Sequence, residues 1–562
     1  MRVSCPSSAN TKSQGRGIGV GEKEHNGACF EIMEGFVESA VSNHAIQRKS
    51  MKDNYSLTNP LCAILDKPRE QFCREDFVSV IEEKRIERIT FHYTALDGKL
   101  KELKIPVTNK QQVERILADG ERVDGSSLFK GMVDAALSDL YVIPVYKTAF
   151  LNPFDEASLD FICRYLMRDG SLAPFAPDTI LEKASQSFTK NTGMNFYAFG
   201  ELEFFLLNEP NSKMYSAPKQ WGYHASGPFL KNGLILNEMV RCISQITGAV
   251  KYAHSEVGYI ESVRSDLEEI KGKQGEQLEI EFLPTPVEET GDILVLARWL
   301  IRNVAYKHDS VATFAPKLEE GVAGNGLHVH AEVRKDGRNI MTRRSGELSA
   351  EAKMVIGGLC TYAESLTAFG NTVSSAYLRL VPNQEAPTRI CWSDMNRSAM
   401  IRVPLAWATI ENLAQRLNPA QKTPFEEKQG RQTVELRSPD GSAIAHLLLA
   451  GITIAAEWGL SHPESEAVAN DLYVAGNIFR DERLLARLAA LPASCVESAR
   501  ILLKKRTCYE KDGIFPPSMI DYVARLLHAE NDETMNRSLM DLPADDRLFE
   551  TRKIMHKDIH RH

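Results

Sequence analysis

The sequence predicts an α+β protein with two or three domains. Strand-like stretches and amphipathic helical patterns alternate along the chain from about residue 75 to 460. At 562 residues the chain exceeds what one hydrophobic core usually supports, and 43% hydrophobic with 25% charged residues is an ordinary globular composition. The chain can therefore bury a large interior built from both helices and strands.

Charge, hydropathy and cysteine usage exclude several classes of protein. The 67 basic and 75 acidic residues give a net charge of −8, and no basic run is interleaved with aromatic residues, so nucleic acid is not an expected partner. No apolar stretch approaches the roughly 20 residues that span a bilayer, and we expect no membrane association. Ten scattered cysteines without a C-x-x-C pair fit a reducing compartment. We therefore expect a cytoplasmic protein.

The N-terminal part of the chain divides into an extension and a small sheet domain. Residues 1–70 are assigned to a partly disordered extension, because the first 30 residues are polar and rich in Gly and Ser. Residues 71–165 form the small domain, which begins with an amphipathic helix near 76–86. The hairpin signal Asp97-Gly98 follows between alternating strands, and it predicts positive φ at both central residues.

A larger domain and a helical C-terminal region complete the chain. The larger domain spans residues 166–475, and its longest helical pattern runs from about Ser349 to Phe369. Residues 476–562 contain amphipathic helices in ERLLARLAALPASCVESARILLKKR and PPSMIDYVARLLHAE.

The strand AFGELEFFLLN carries Glu201 and Glu203 inside an apolar run. Side chains two apart on a strand point to the same face, so the two carboxylates lie side by side. Burying both costs several kcal/mol each unless a cation, a hydrogen bond or a shared proton offsets the charge. The alternative is an edge strand whose acidic face lies in water.

Other strands repeat this pattern of polar pairs two residues apart, which favours a common cavity. The pairs are His328 and His330 in GNGLHVHAEV, Glu279 and Glu281 in QLEIEFLP, and Glu435 and Arg437 in TVELRSPD. If these strands share a sheet, their carboxylates and imidazoles converge. Carboxylates outnumber imidazoles and no thiolate is evident, so the expected ion is Mg²⁺ or Mn²⁺.

A set of arginines accompanies the acidic residues. They are Arg379 in YLRLVPNQEAP, Arg397 and Arg402 in MNRSAMIRVP, and Arg437. Guanidinium groups match the oxygens of carboxylates and phosphates, and divalent ions with arginines are the parts that phosphoryl transfer requires. The chain has no G-x-x-x-x-G-K-[ST], which argues against a P-loop enzyme.

With these residues in place, the sequence resembles the glutamine synthetase family, in the type I style of glutamate–ammonia ligase. The resemblance covers roughly residues 75 to 475. It rests on colinear motifs: DGSS, GELEF, SEV, QLE, ATFAPK, GNGLHVH, RLVPNQEAP, NRSAMIRVP and VELRSPD. It implies an N-terminal β-grasp domain followed by a catalytic domain with an antiparallel barrel-like sheet and flanking helices.

The resemblance also implies the composition of the site. One Mg²⁺ or Mn²⁺ would be held by Glu203, Glu256 and Glu279, and a second by Glu201, His328 and Glu435. Glutamate would be bound by Arg379, Arg437 and the Gly324 backbone. Ammonium would be bound by Asp124 and Ser127 of a neighbouring subunit with Tyr223, Glu256 and the flap residue Glu385. The phosphates would face His330, Arg397 and Arg402. Catalytic roles would fall to Glu385, Asp124 and Arg397.

The implied reaction joins ammonia to the γ-carboxylate of L-glutamate at the expense of ATP. ATP converts the carboxylate to γ-glutamyl phosphate, ammonia attacks this acyl phosphate, and glutamine, ADP and phosphate result. Neutral ammonia is the nucleophile, so anionic Asp124 and Glu385 would accept the proton of ammonium. The family also implies a ring-forming homo-oligomer, a dodecamer.

Departures from the family pattern concentrate near the expected nucleotide and leave two alternatives open. The substituted positions are Lys251, Ala323, Asn325, Glu332, Thr433 and Ile444-Ala445-His446, and residues 259–273 are an insertion. The first alternative is a γ-glutamyl-amine or polyamine ligase on the same scaffold. The second is a catalytically silent structural homologue.

Overall fold

A computed structural model describes residues 55–561, apart from 211–214, 216–219, 382–385, 407–409 and 427–429. The segment predicted to be disordered, residues 1–30, lies outside this part of the chain. Residues Ser56–His562 form one compact unit. The boundaries expected at residues 70, 165 and 475 therefore stay predictions.

The N-terminal sheet has six strands in the order β2-β1-β6-β4-β3, with β5 paired to β6. Their bounds are β1 Arg88–Thr94, β2 Leu100–Pro106, β3 Glu121–Asp124, β4 Asp139–Pro144, β5 Phe150–Leu151 and β6 Ser158–Leu166. Strand β1 runs parallel to β6 and antiparallel to β2. The helix Arg74–Lys84 packs on this sheet through Phe77, whose ring meets Phe161 edge to face at 4.9 Å. The helix predicted near 76–86 is thus confirmed.

The turn between β1 and β2 differs from the predicted one. Gly98 has φ of +76°, whereas Asp97 does not have positive φ, so the expectation of two left-handed residues is wrong. The Ala95 amide donates to the Lys99 carbonyl and the Gly98 amide to the Ala95 carbonyl, each at 3.0 Å. The turn therefore has three residues, and only the last of them needs the left-handed conformation that glycine tolerates.

The second sheet has ten strands, with seven in the order β14-β15-β16-β12-β7-β9-β8. Their bounds are β7 Asn195–Asn208, β8 Val250–Ile260, β9 Gln274–Phe282, β10 Thr285–Pro286, β11 Val311–Thr313, β12 Leu327–Lys335, β13 Arg338–Asn339, β14 Trp392–Asp394, β15 Ile401–Val403 and β16 Val434–Leu436. Strand β7 is the longest of these and pairs antiparallel with β12 on one side and β9 on the other. The α+β class predicted from the sequence is confirmed.

Helices flank the large sheet and form most of the C-terminal part. Together with Arg74–Lys84 they are Pro60–Leu65, Lys110–Asp119, Gly125–Leu128, Pro177–Thr192, Gly233–Thr247, Val287–Lys307, Ala350–Gly370, Ala376–Arg379, Ala445–Ser461, Glu464–Asp471, Glu482–Arg487, Cys495–Lys504, Arg506–Glu510, Pro517–His528, Met535–Met540 and Ala544–His556. The long helix predicted from Ser349 to Phe369 and the amphipathic C-terminal helices are confirmed. Within the described residues, no helix combines the length and apolar character needed to cross a membrane.

A charged cluster joins the end of β6 to the helices under the large sheet. The Arg164 guanidinium lies 2.6 Å from Asp292 and 3.3 Å from Asp178, and His446 lies 3.1 Å from Asp292. Burial acts to raise the pKa of Asp292, but Arg164 and His446 together lower it to about 2. One guanidinium thus compensates two largely buried carboxylates on two different helices.

Replacing Arg164 tests this cluster. Arg164→Met leaves Asp178 and Asp292 with too little positive charge, so the free energy of unfolding should fall by about 3–5 kcal/mol. Urea unfolding followed by circular dichroism measures the change. Arg168→Met, at an exposed position, is the matched control and should stay within about 0.5 kcal/mol of the parent. Equal losses in the two variants would contradict the role of the cluster.

Candidate functional site

The large sheet carries a cavity of about 550 Å³ on the face that bears the acidic residues. Eleven of the residues predicted for the site line it: Glu201, Glu203, Tyr223, Glu256, Glu279, Gly324, His328, Arg379, Arg397, Arg402 and Arg437. The predicted convergence of several polar strand faces on one cavity is therefore seen in the structure. The roles of the individual residues stay predictions.

The strand register of β7 and β9 places carboxylates opposite one another. Glu201 is paired in register with Glu281, and Glu203 with Glu279. Residues directly opposite on antiparallel strands have Cβ atoms about 4.5–5.5 Å apart, so like charges there destabilise the sheet unless they are compensated. Four carboxylates thus form two facing pairs at the centre of the site.

The neighbouring strands bring imidazole and guanidinium groups to the same rows. His328 on β12 is paired in register with Glu201 on β7. On the other side of the β7–β9 pair, His254 on β8 is paired in register with Glu279 on β9. Glu435 on β16 is flanked by His330 and Arg402. Each facing pair of carboxylates thus has an imidazole in register at one end of its row, His328 beside Glu201 and His254 beside Glu279.

The first group able to hold a metal ion consists of Glu201, His328 and Glu435. The His328 Nδ1 atom lies 2.8 Å from Glu201 Oε2 and 3.7 Å from Glu435 Oε1. This is the set that the sequence predicted for the second ion. Glu435 is fully buried and also pairs with Arg402 at 3.0 Å and Arg437 at 2.9 Å.

The second group consists of His254, Glu256 and Glu279. The His254 Nε2 atom lies 3.4 Å from Glu279, and Nδ1 lies 3.8 Å from Glu256. The sequence predicted Glu203 in place of His254. Glu203 lines the same cavity, but its Oε2 atom accepts a hydrogen bond of 2.7 Å from the Gly326 amide.

His254 is a site residue that the sequence analysis missed. A signal for it was present, because His254 precedes Glu256 by two residues on one strand and so projects toward the same face. The pairing of β8 with β9 is irregular on both sides of this segment, between Val250 and Tyr252 and between Ser255 and Tyr259. Such irregularity blurs the period-two pattern on which the prediction relied.

A third group, Glu201, Glu281 and His330, lies next to the first. His330 was predicted to face the phosphates, but its Nε2 atom lies 2.8 Å from Glu201 and its Nδ1 atom 2.8 Å from the Thr433 hydroxyl. Glu281 forms an ion pair of 2.6 Å with Lys251. Neither His330 nor Glu435 is among the residues that line the cavity.

The pKa values of the carboxyl groups in the site shift in different directions. Burial acts to raise the pKa of Glu201, but His330 and His328 lower it well below its usual range. Burial and the nearby Glu256 raise the pKa of Glu203 to about 8. Burial, together with Glu201, Glu203 and Glu256, raises the pKa of Glu279 well above its usual range. For Glu203 and Glu279, burial and neighbouring carboxylates therefore outweigh the nearby positive charge.

These donors fit a divalent cation. Carboxylate oxygens and imidazole nitrogens are ligands that Mg²⁺ and Mn²⁺ accept, and no described cysteine belongs to the three groups. The crowded carboxylates around Glu279 supply the negative charge that such an ion neutralises. The residues present thus fit the predicted pair of divalent ions.

Arginines and a glycine also line this cavity. The Arg379 guanidinium donates to the Ser438 carbonyl at 3.1 Å, and its side chain lies against Gly324. A Cβ atom at Gly324 would come within 3.1 Å of Arg379 Cδ and 2.4 Å of the Pro316 carbonyl, so only glycine fits there. The Arg397 guanidinium lies 5.8 Å from the centroid of the Tyr223 ring.

Asp124 and Ser127, like His330 and Glu435, are not among the residues that line this cavity. Asp124 and Ser127 are exposed on the small sheet domain, where Asp124 caps a short helix and accepts hydrogen bonds from Ser126 and Ser127. Those hydroxyl contacts lower the pKa of Asp124 to about 2. Glu385 lies outside the described residues. Their roles in the ammonium site stay predictions.

Comparison with known proteins agrees with this architecture. Residues 175–540 match the family model for the glutamine synthetase catalytic domain, and residues 85–168 match the model for the glutamine synthetase beta-Grasp domain. A glutamine synthetase of Pyrococcus horikoshii is 30% identical over 67% of this chain and 75% of its own length. A glutamine synthetase of Methylococcus capsulatus is 27% identical over 80% of this chain and 93% of its own length.

Solved structures share the fold. A Plasmodium falciparum glutamine synthetase superimposes with a TM-score of 0.64 at 21% identity, covering 84% of this chain and 98% of its own. A structure described as apo GmaS without ligand gives a TM-score of 0.63 at 20% identity, covering the same shares. The chain belongs to the glutamine synthetase family, whose members are ATP- and divalent-metal-dependent ligases that form oligomers.

Replacing Glu279 should affect stability in opposite directions with and without metal. In EDTA, Glu279→Gln removes a carboxylate crowded by three others, so the free energy of unfolding should rise by about 1 kcal/mol or more, the value of one pKa unit. With MnCl₂, the variant should lose most of the stabilisation that the parent gains from the ion. Thermal unfolding in the two buffers measures both effects.

Glu276→Gln is the matched control on the same strand. Glu276 is also buried, but its carboxylate accepts hydrogen bonds from the amides of Lys231 and Asn232 at 3.0 and 2.8 Å. Its replacement should therefore destabilise the protein to the same extent in both buffers. A loss of stability in EDTA for Glu279→Gln would contradict the crowding of carboxylates.

Proposed function

We propose that the protein ligates ammonia to the γ-carboxylate of L-glutamate through γ-glutamyl phosphate, consuming ATP. One observation carries the proposal: two groups of metal-binding side chains and four arginines line or adjoin a single cavity. The family to which the chain belongs uses glutamate, ammonia and ATP. The chemistry of the cavity and that of the family therefore agree.

Arg379, Arg437 and Gly324 are proposed to bind glutamate. The planar guanidinium groups of the two arginines match carboxylate oxygens, and both side chains are buried at the cavity wall. The close approach of the Gly324 backbone to Arg379 leaves room for a small zwitterion to contact both. This arrangement orients the γ-carboxylate toward the acidic end of the cavity.

The proposed phosphoryl transfer depends on charge neutralisation at that acidic end. Divalent ions held by the groups of Glu201 and Glu279 would neutralise charge on the transferring phosphoryl group. Arg397, exposed at the cavity mouth, and Arg402 would contact the phosphate oxygens. Carboxylates next to Tyr223, including Glu256, would attract ammonium, and a carboxylate base would accept its proton before ammonia attacks.

One feature favours an organic amine as the nitrogen donor, which is the second candidate function. The rings of Tyr223, His224 and His254 form a cluster at the cavity. The centroid of the His224 ring lies 4.2 Å from that of Tyr223 and 4.1 Å from that of His254, and the Tyr223 and His254 centroids lie 5.3 Å apart. Aromatic faces next to carboxylates attract alkylammonium groups through cation–π contact. A γ-glutamyl-amine ligase on the same scaffold would use this cluster to hold the substituent on nitrogen.

A panel of nitrogen donors separates the two candidate functions. With glutamate, ATP and MgCl₂ or MnCl₂ supplied, ammonium should support phosphate release with a kcat/KM at least about tenfold above that of methylammonium, ethylammonium or putrescine. If an organic amine supports turnover and ammonium does not, the protein is a γ-glutamyl-amine ligase. If calorimetry detects no saturable binding of Mn²⁺–ATP, both enzyme assignments fail and the silent homologue remains.

Arg379→Lys tests the glutamate site while keeping the positive charge. Loss of the guanidinium fork should raise the KM for glutamate about 10- to 100-fold, the equivalent of about 1.5–3 kcal/mol for a hydrogen bond to a charged group. The KM for ATP should change by less than about twofold. Arg389→Lys is the control, because its guanidinium donates to the Leu488 carbonyl away from the cavity. Equal effects on both substrates would contradict the assignment.

A further inference from the structure

A second cavity of about 550 Å³ lies between the loop Ser262–Gly272 and the helix Ala544–His556. The loop belongs to the insertion at residues 259–273 and is closed at its base by backbone hydrogen bonds of 2.8 Å between Val263 and the pair Gly272 and Lys273. The helix is close to the C-terminal end of the chain. This cavity is separate from the one described above, and none of the lining residues is shared.

The lining of this cavity is strongly basic. Five cationic side chains contribute to it against the single carboxylate of Asp266, and they are Arg264, Lys271, Arg552, Lys553 and Lys557. Arg264 is exposed and forms no ion pair within the described part of the chain. Lys271 pairs with Glu268 at 2.9 Å and Lys553 with Glu550 at 3.0 Å, and both of these pairs are exposed. Lys557 pairs with the largely buried Glu530 at 2.7 Å. The two exposed pairs contribute little free energy and can exchange for a bound anion.

The remaining wall is apolar and aromatic. Val263 and Leu267 from the loop and Phe549 from the helix line this cavity, and Phe549 is 48% exposed. The Lys553 ammonium lies 4.1 Å from the centroid of the Phe549 ring. Positions 549, 552, 553 and 556 are spaced three and four apart, so one helix face presents both the ring and the cations. A cavity of this size accommodates a small organic ligand.

The helix Ala544–His556 also contacts residues 318 and 319, which are next in the chain to a residue lining the first cavity. The Arg552 guanidinium donates three hydrogen bonds to the Glu319 carboxylate, at 3.2, 3.0 and 2.9 Å. His556 Nε2 lies 2.9 Å from the Leu318 carbonyl. Five residues after Glu319 the chain reaches Gly324, which packs on Arg379, and Lys317 lines the first cavity itself.

We propose that the second cavity is a regulatory site for a phosphate monoester with an aromatic body. The phosphate contacts the cations of the loop and helix, and the ring packs between Phe549 and Leu267. An anion in the cavity competes with Glu319 for Arg552, loosens the segment around Gly324 and weakens glutamate binding. This regulatory step rests on the function proposed above, whereas the binding step does not.

Calorimetry with phenyl phosphate, in EDTA to exclude binding through metal ions, tests the site on the full chain. We expect saturable binding of one molecule per chain, with inorganic phosphate and benzoate each bound at least about tenfold more weakly. The double variant Arg264→Glu/Lys553→Glu should reduce the affinity for phenyl phosphate at least about tenfold. Both positions are exposed, so the fold should persist, and circular dichroism checks it.

Lys190→Glu is the matched control, because Lys190 is an exposed lysine on the helix Pro177–Thr192, away from both cavities. It should bind phenyl phosphate like the parent. Absence of saturable binding, or an affinity that is unchanged in the double variant, would overturn the proposed site. Calorimetry needs no turnover, so this result is independent of the enzymatic assignment.

The regulatory step is read from glutamate saturation curves at fixed ATP. Phenyl phosphate should raise the KM for glutamate at least about threefold in the parent and in Lys190→Glu, and leave it unchanged in Arg264→Glu/Lys553→Glu. Binding with no change in KM would overturn the regulatory role and retain only a binding site. Inhibition that persists in the double variant would place phenyl phosphate in the first cavity and overturn the proposal.

Discussion

The register of β7 against β9 is the constraint on which the site depends. It sets Glu201 opposite Glu281 and Glu203 opposite Glu279, so like charges meet at the centre of a sheet. Such pairs destabilise a sheet in the absence of other charges. The neighbouring strands supply positive charge that offsets these carboxylates, through His328 and His330 on β12 and Arg402 on β15.

Compensation is uneven across the sheet. On one side, Glu201 contacts two histidines and Glu435 contacts two arginines, so these carboxylates are balanced by the protein itself. On the other side, burial and neighbouring carboxylates outweigh Arg379 near Glu203 and His254 near Glu279, so the pKa values of both carboxyl groups are raised. The demand for an external cation is therefore greatest around Glu279. A fold that retains this crowding gains stability from a bound ion, which couples metal binding to the integrity of the sheet.

The sequence predicted the elements of the site better than their contacts. Period-two spacing was sufficient to place Glu201, Glu203 and His328 on one face, because each lies in a regular strand. His254 was missed because β8 pairs irregularly with β9, and the direction of His330 toward Glu201 depends on a register that no single strand encodes. Likewise, Asp97-Gly98 identified the hairpin but not the length of its turn.

Three of the departures from the family pattern, Lys251, Glu332 and Thr433, have polar partners in the folded chain. Lys251 meets Glu281 at 2.6 Å, and Glu332, which is buried, meets Arg334 and Asn339. Thr433 accepts or donates the hydrogen bond that His330 needs. Each of these three side chains thus has a local partner. Lys251 compensates Glu281, which faces Glu201 across the strand pair, so loss of the Lys251 ammonium group would leave two facing carboxylates with less positive charge.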